Sequence, residues 1–137
     1  MNISKFTQKS VQAVQDLEKV AYEYGNQEIE EEHLLYALLT QEDSLILKLI
    51  EKMEIQKEYF IDTVKKALDA KVKVSGGELR FGQYLNKALV SAEDEAKAMG
   101  DEYVSVEHLF LSMLKNPSPS MKKIFNEFGI TRERFLQ

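Results

Sequence analysis

The sequence has no cysteine and no tryptophan, only two prolines and only two histidines among its 137 residues. Without cysteine there are no disulfides and no thiolate metal sites, a composition that fits a reducing, cytoplasmic setting. With proline confined to Pro117 and Pro119, long stretches are free to be helical. No apolar run approaches the roughly 18 to 20 residues of a membrane span. The opening "MNISKFTQKS" also lacks the apolar core of a secretion signal. Positive charge is in deficit, since 18 Lys and Arg against 23 Asp and Glu leave a formal net charge of −5. That balance argues against a nonspecific nucleic-acid surface or an anionic-membrane surface, because both need clustered cations. What remains is 44% apolar and 30% charged residues, the make-up of a globular protein long enough to bury a core.

Periodicity fills in the elements. Val11, Val14, Leu17, Ala21 and Tyr24 recur at three- and four-residue steps and predict one helix from about Thr7 to Tyr24. Gly25 ends it, because glycine readily takes the left-handed conformation of a helix C-terminus. Three more helices are expected over about Glu31 to Leu39, Ser44 to Lys52 and Lys57 to Ala70. The stretch "AKVKVSGGELRF" then loses the period and reads as an exposed connector over about residues 71–80.

After the connector the pattern begins again. A shift of 75 positions aligns Phe6 to Asp62 with Phe81 to Gln137 without a gap. Identical pairs include Phe6/Phe81, Ala13/Ala88, Glu18/Glu93, Gly25/Gly100, Glu32/Glu107, His33/His108, Leu34/Leu109 and Phe60/Phe135. Chance would supply roughly three or four, so the chain is an internal duplication. Repeat one covers about residues 4–70 and repeat two about 81–137, within one domain of residues 1–137. A four-helix unit of this length buries only part of its apolar surface. Two copies packed about a pseudo-twofold axis give an eight-helix, all-α fold. The second copy stops just inside its last helix, so the sequence reads as a piece of a longer protein.

Both histidines fall in the same repeated phrase, "GNQEIEEEHLLYALL" and "GDEYVSVEHLFLSML". A Glu-His pair invites a reading as acid and base or as metal ligands. Adjacent helical residues, however, point about 100° apart and do not face one site. The H-E-x-x-H spacing of helical metal sites does not occur. Nor does a phosphate-binding loop or a nucleophile elbow. The reading favoured by the residues is a joint. Ser105 stands at a helix N-cap, Glu107 complements the positive end of the helix dipole, and His33 and His108 bridge the preceding helix and loop. Gly25 and Gly100 terminate that preceding helix.

Duplicated helix, glycine and an x-x-E-H-L-L/F-x-x-L/M-L helix, with Phe-Thr near the start ("KFTQKS"), resemble the Clp amino-terminal repeat domain. The likeness spans essentially the whole chain and is strongest to the branch of the ClpB-type disaggregating chaperones. It implies a substrate-handling domain tethered to a homohexameric AAA+ ring, with no cofactor in this segment and ATP and Mg in the parent's ATPase modules. The implied partners are unfolded or aggregated polypeptides, with neither nucleic acid nor membrane. The implied polypeptide-binding residues are Thr7, Asp101 and Glu107, and the family's groove would expose apolar residues where this chain has Ser91 and Glu95. The second role the family allows is docking of adaptors or substrates, as in the protease-linked ClpC and ClpA branches.

Overall fold

The computed structural model describes residues 2–137; Met1, inside the expected domain, lies outside the described residues. A short 3-10 turn over Ile3–Lys5 leads into helices α1 (Gln8–Gln15), α2 (Leu17–Glu23), α3 (Glu31–Leu39), α4 (Leu45–Lys52) and α5 (Lys57–Asp69). The second copy supplies α6 (Gln83–Ala98), α7 (Val106–Lys115), α8 (Pro119–Glu127) and α9 (Arg132–Leu136). Two residues of strand, β1 (Glu28–Ile29) and β2 (Arg80–Phe81), complete the elements. The fold is all-α, as the periodicity predicts.

The expected single helix over Thr7 to Tyr24 is instead two segments meeting at Asp16. There the Asp16 N–H is shared between the carbonyls of Gln12 and Val14, which tightens the turn. Its counterpart Ser91 sits inside the unbroken α6. Counting α1 and α2 as one bent helix restores the eight that the duplication predicts.

The halves are joined by exchange. β1 pairs in parallel with β2, placing Ile29 beside Phe81, and an isolated parallel bridge places Phe6 beside Val104. These two contacts are mates under the 75-residue shift. With α1 and α2 counted as one, the residues entering each repeat's first helix therefore pair with the strand that precedes the other repeat's second helix. Packing follows the same logic. Phe128 of the second copy meets Phe60 and Tyr59 of the first edge-on, with ring centroids 5.0 and 5.3 Å away. One continuous core runs through Leu34, Leu35, Leu38, Ile46 and Phe60 of the first copy and Leu85, Leu109, Phe110 and Met121 of the second. Each such side chain contributes about 1.5–3 kcal/mol relative to exposure, which is why the two units stay together.

The connector is only partly the exposed strap that its composition predicts. Val72 is 80% exposed, yet the Val74 N–H donates to the Gly25 carbonyl at 2.9 Å and the Lys71 side chain is almost buried. Among the described residues no helix is long and apolar enough to cross a membrane.

Candidate functional site

The repeated phrase is built the same way twice. Gly25 and Gly100 hold φ of 70° and 73°, the left-handed conformation that ends α2 and α6. At the first end the N–H of Asn26 donates to Ala21 O and that of Gly25 to Tyr22 O. At the second, Asp101 donates to Ala96 O and Gly100 to Lys97 O. This paired 6→1 and 5→2 closure satisfies the last carbonyls of each helix and aims the following residue at the next helix start.

The histidines receive that residue. His33 Nδ1 accepts the Glu30 N–H at 2.8 Å, and His108 Nδ1 accepts the Ser105 N–H at 2.9 Å. With Nδ1 accepting, the ring proton sits on Nε2. From there His33 donates to Asn26 Oδ1 at 2.9 Å, and His108 to Asp101 Oδ2 at 2.8 Å. Each imidazole thus ties the turn after one helix to the first turn of the next. His33 is fully buried, and burial, aided by nearby Lys71, pushes its pKa down to about 4. No group of three or more His, Asp or Glu side chains among the described residues is arranged to hold a metal.

Around these matching joints the copies diverge. In the first, Glu31 and Glu32 are fully buried against the start of α8. Glu31 Oε1 accepts the Ser118 N–H at 2.7 Å, and Glu32 Oε2 accepts the Ser120 hydroxyl. Lys71 Nζ lies 3.1 Å from Glu30 and 3.2 Å from Glu32. In the second copy Val106 replaces Glu31 and lies in the core. Glu107 is half-buried and makes no hydrogen bond or ion pair with the described residues, while Asp101 is exposed.

Thr7 stands at the N-cap of α1, its Oγ1 accepting the Ser10 N–H at 3.2 Å. Its own N–H donates to the Val104 carbonyl at 3.0 Å, which sets it beside the strand running into Ser105. His108, next to Glu107 in sequence, binds Asp101. Thr7, Asp101 and Glu107 therefore flank one segment, residues 101–107. Their counterparts are Gly82, Asn26 and Glu32, so the first copy lacks the hydroxyl, one acid and a free second acid.

At Ser91 and Glu95, where the resemblance expects exposed apolar residues, neither side chain is fully exposed. Glu95 is buried, and its carboxylate takes Arg132 Nη1 at 2.7 Å; the pair lines a cleft of about 540 Å³ together with Leu111, Leu114, Phe125 and Ile130. Ser91 is half-buried. The exposed large apolar residues of this helix are Val90, at 52%, and Tyr84, at 40%. Val90 lines a depression of about 220 Å³ with Asn2, Phe6, Leu89 and Glu93, against the amino-terminal segment that carries Thr7. Val90 lies off the buried stripe of Leu85, Leu89, Ala92 and Ala96. That misplacement was the signal in the sequence.

Comparison with known proteins gives a single picture. The family model of the Clp repeat (R) N-terminal domain matches residues 5–128. The chain is 39% identical over 142 aligned positions to the chaperone protein ClpB of Nitratidesulfovibrio vulgaris, covering 99% of this chain and 16% of that protein. It is 38% identical to ClpB of Clostridium tetani, with 99% and 16% covered. The chain thus spans about a sixth of the length of these relatives. Among solved structures, the Hsp104 N-terminal domain of Candida albicans superposes with a TM-score of 0.82 at 21% identity, covering 96% of this chain and 87% of that one. The ClpV N-domain in complex with a VipB peptide superposes with a TM-score of 0.72 at 21% identity, covering 96% and 82%. At such identities these two structures establish the shared fold.

Proposed function

The chain belongs to the Clp repeat N-terminal domain family, and from that premise we propose that it is the substrate-engaging domain of a ClpB-type disaggregase. In this reading it captures unfolded or aggregated polypeptide in the cytoplasm and passes it to a hexameric ATPase ring elsewhere in the parent protein. It performs no chemistry itself. Thr7, Asp101 and Glu107 form the polar edge of the binding surface, and Val90 with Phe6 supplies apolar contact.

The observation that carries this reading is the divergence of the two phrases. An acid that only complemented a helix dipole would have no reason to differ between copies. Glu32 is buried and paired, whereas its mate Glu107 has no partner among the described residues and stands beside an exposed Asp101. A shallow surface of this kind suits weak capture, because ordering a flexible chain offsets much of the contact energy. Weak capture is sufficient where a ring close by takes over the substrate.

The test is a titration of a permanently unfolded model protein into the isotope-labelled chain. Amide resonances of Thr7, Asp101 and Glu107 shift if the reading holds. No shift at any of the three sinks it.

A further inference from the structure

The two repeats are joined by many non-covalent contacts and by one covalent strap, the connector. β1 of repeat one pairs with β2 at the entry to repeat two, and Phe6 bridges to Val104. The Ser118 N–H donates to Glu31 Oε1, and Phe60 meets Phe128 edge-on. None of these contacts requires both repeats to belong to the same chain.

The connector makes a sharp reversal. Lys71 lies beside Glu30 and Glu32, Val72 O accepts from Asn26, and the Val74 N–H donates to Gly25 O. This arm therefore runs against the direction of residues 25–32. The Arg80 N–H donates to Gln27 O, and from there the chain runs parallel to β1. The turn between the arms falls on Gly76 and Gly77, with φ of 80° and 86°, a conformation that strains any residue with a Cβ. Residues 75–79 are exposed and make no main-chain hydrogen bond to the described residues. Extended, the six steps from Val74 to Arg80 span about 20 Å, enough to carry the chain out of one repeat pair and into another.

We propose that two copies of this chain exchange repeats, with residues 75–79 as the hinge. Repeat one of each chain then closes on repeat two of the other. The same inter-repeat contacts form in both arrangements, so contact energy does not choose between them. The choice lies between the tether and the reversal that the tether has to make at Gly76-Gly77. A short tether acts as an effective concentration in the mM range, so at about 1 µM chain the closed monomer leads by about a thousandfold. At about 1 mM the two forms become comparable. Exchange also changes what the surface offers. Thr7, in repeat one, donates its N–H to Val104 O in repeat two, so each edge of Thr7 and residues 101–107 in the dimer is built from two chains. The dimer presents two such edges to one substrate and gains avidity without a new contact. That consequence, unlike the exchange itself, rests on the reading that Thr7, Asp101 and Glu107 face substrate.

The test uses two 137-residue chains, one Glu28→Cys and one Arg80→Cys. The two positions are exposed and are Cα partners in the β1–β2 pairing, and the sequence has no other cysteine. Unfolded together in urea, refolded at about 1 mM and oxidised, the pair should give an interchain 28–80 disulfide in a particle of twice the chain mass. Refolding at about 1 µM should give at least about tenfold less. A Gly76→Pro, Gly77→Pro chain cannot make the reversal. Its dimer-to-monomer ratio at about 1 mM should exceed that of the parent chain at least about fivefold. A proline chain that is folded and monomeric overturns the proposal. So does an equal yield of the 28–80 link when the two cysteine chains are mixed already folded, because the link then reports surface collision. If the proline chain does not fold, the cysteine pair decides alone, and absence of the link after joint refolding overturns the proposal. Exchange without shifts at Thr7, Asp101 and Glu107 on adding unfolded protein fells only the functional reading. Shifts without exchange fell only this inference.

Discussion

Glu31, at the start of α3 in the first repeat, accepts the backbone N–H of Ser118 at the start of α8 in the second, at 2.7 Å. The carboxyl is fully buried, and its Oε2 has no hydrogen-bond partner among the described residues. Burial, reinforced by the neighbouring charges of Glu32 and Glu30, pushes its pKa up to about 8. A proton on Oε2 is cheaper than an uncompensated buried charge. The repeats are thus clasped by an acid that stays largely neutral.

That clasp gives the domain a pH profile. The unfolded Glu31 ionises near 4.5 and the folded one near 8, so the folded state holds the extra proton between those values. The stability this contributes is fully present below about 4.5 and is lost as pH rises through about 8. His33 acts in the opposite sense. Its folded pKa of about 4 lies below the usual 6.5, so its contribution is present above 6.5 and lost as pH falls through about 4. From pH 4.5 to 6.5 the two slopes oppose, and from 6.5 to 8 only that of Glu31 remains. Urea midpoints are expected to be level over the first window and to fall over the second. The Glu31→Gln chain, which keeps an acceptor for Ser118, should lose that fall. A decline of undiminished steepness in the variant would refute the assignment.

Removing the first histidine tests the joint directly. His33→Ala opens a cavity and leaves the Glu30 N–H and Asn26 Oδ1 without their shared partner. An orphaned buried donor costs about 1–3 kcal/mol before the cavity is counted, so a loss of about 3 kcal/mol is expected in chemical denaturation. A loss below about 1 kcal/mol would mean that the imidazole does not tie α2 to α3.

Glu54 holds φ of 64°, where its counterpart in the second copy is Gly129 at 63°. Both close a helix end in the same way: Ile55 N donates to Ile50 O and Ile130 N to Phe125 O. A residue with a Cβ is strained there by about 1–2 kcal/mol, partly offset by the extra chain entropy that glycine brings to the unfolded state. Glu54→Gly should therefore raise stability by about 0.5–1 kcal/mol, visible as a higher Tm. A lower Tm would show that the Glu54 side chain contributes more than its backbone costs.

The duplication, the helix ends at Gly25 and Gly100 and the structural part of the histidine phrase were all legible in the sequence. Each is a local pattern repeated with a fixed offset. What escaped depends on pairs distant in the chain. The bend at Asp16 is invisible to periodicity because the apolar stripe runs through it unbroken. Glu95 reads as a surface acid until Arg132, 37 residues on, is folded against it. Its place on the same stripe as Ala92 and Ala96 is the one local hint. The docking of Lys71 on Glu32 is likewise absent from the composition of the connector, which is that of a loose strap.

The contrast between Glu32 and Glu107 separates joint from binding edge. Glu32→Gln weakens the hold on Lys71, which is almost buried, and disturbs the hydroxyl contact with Ser120. Breaking one partner of a buried pair leaves the other uncompensated, so a loss of about 2–4 kcal/mol is expected. Glu107→Gln gives up only a helix-dipole contact, worth about 0.3–1 kcal/mol, because nothing among the described residues is bound to its carboxylate. Urea denaturation of the two variants should thus differ several-fold in cost, although the residues are mates under the 75-residue shift. If Glu107→Gln proved as damaging as Glu32→Gln, the second acid would be a structural brace like the first. The case for a polypeptide edge at residues 101–107 would then lose its main support.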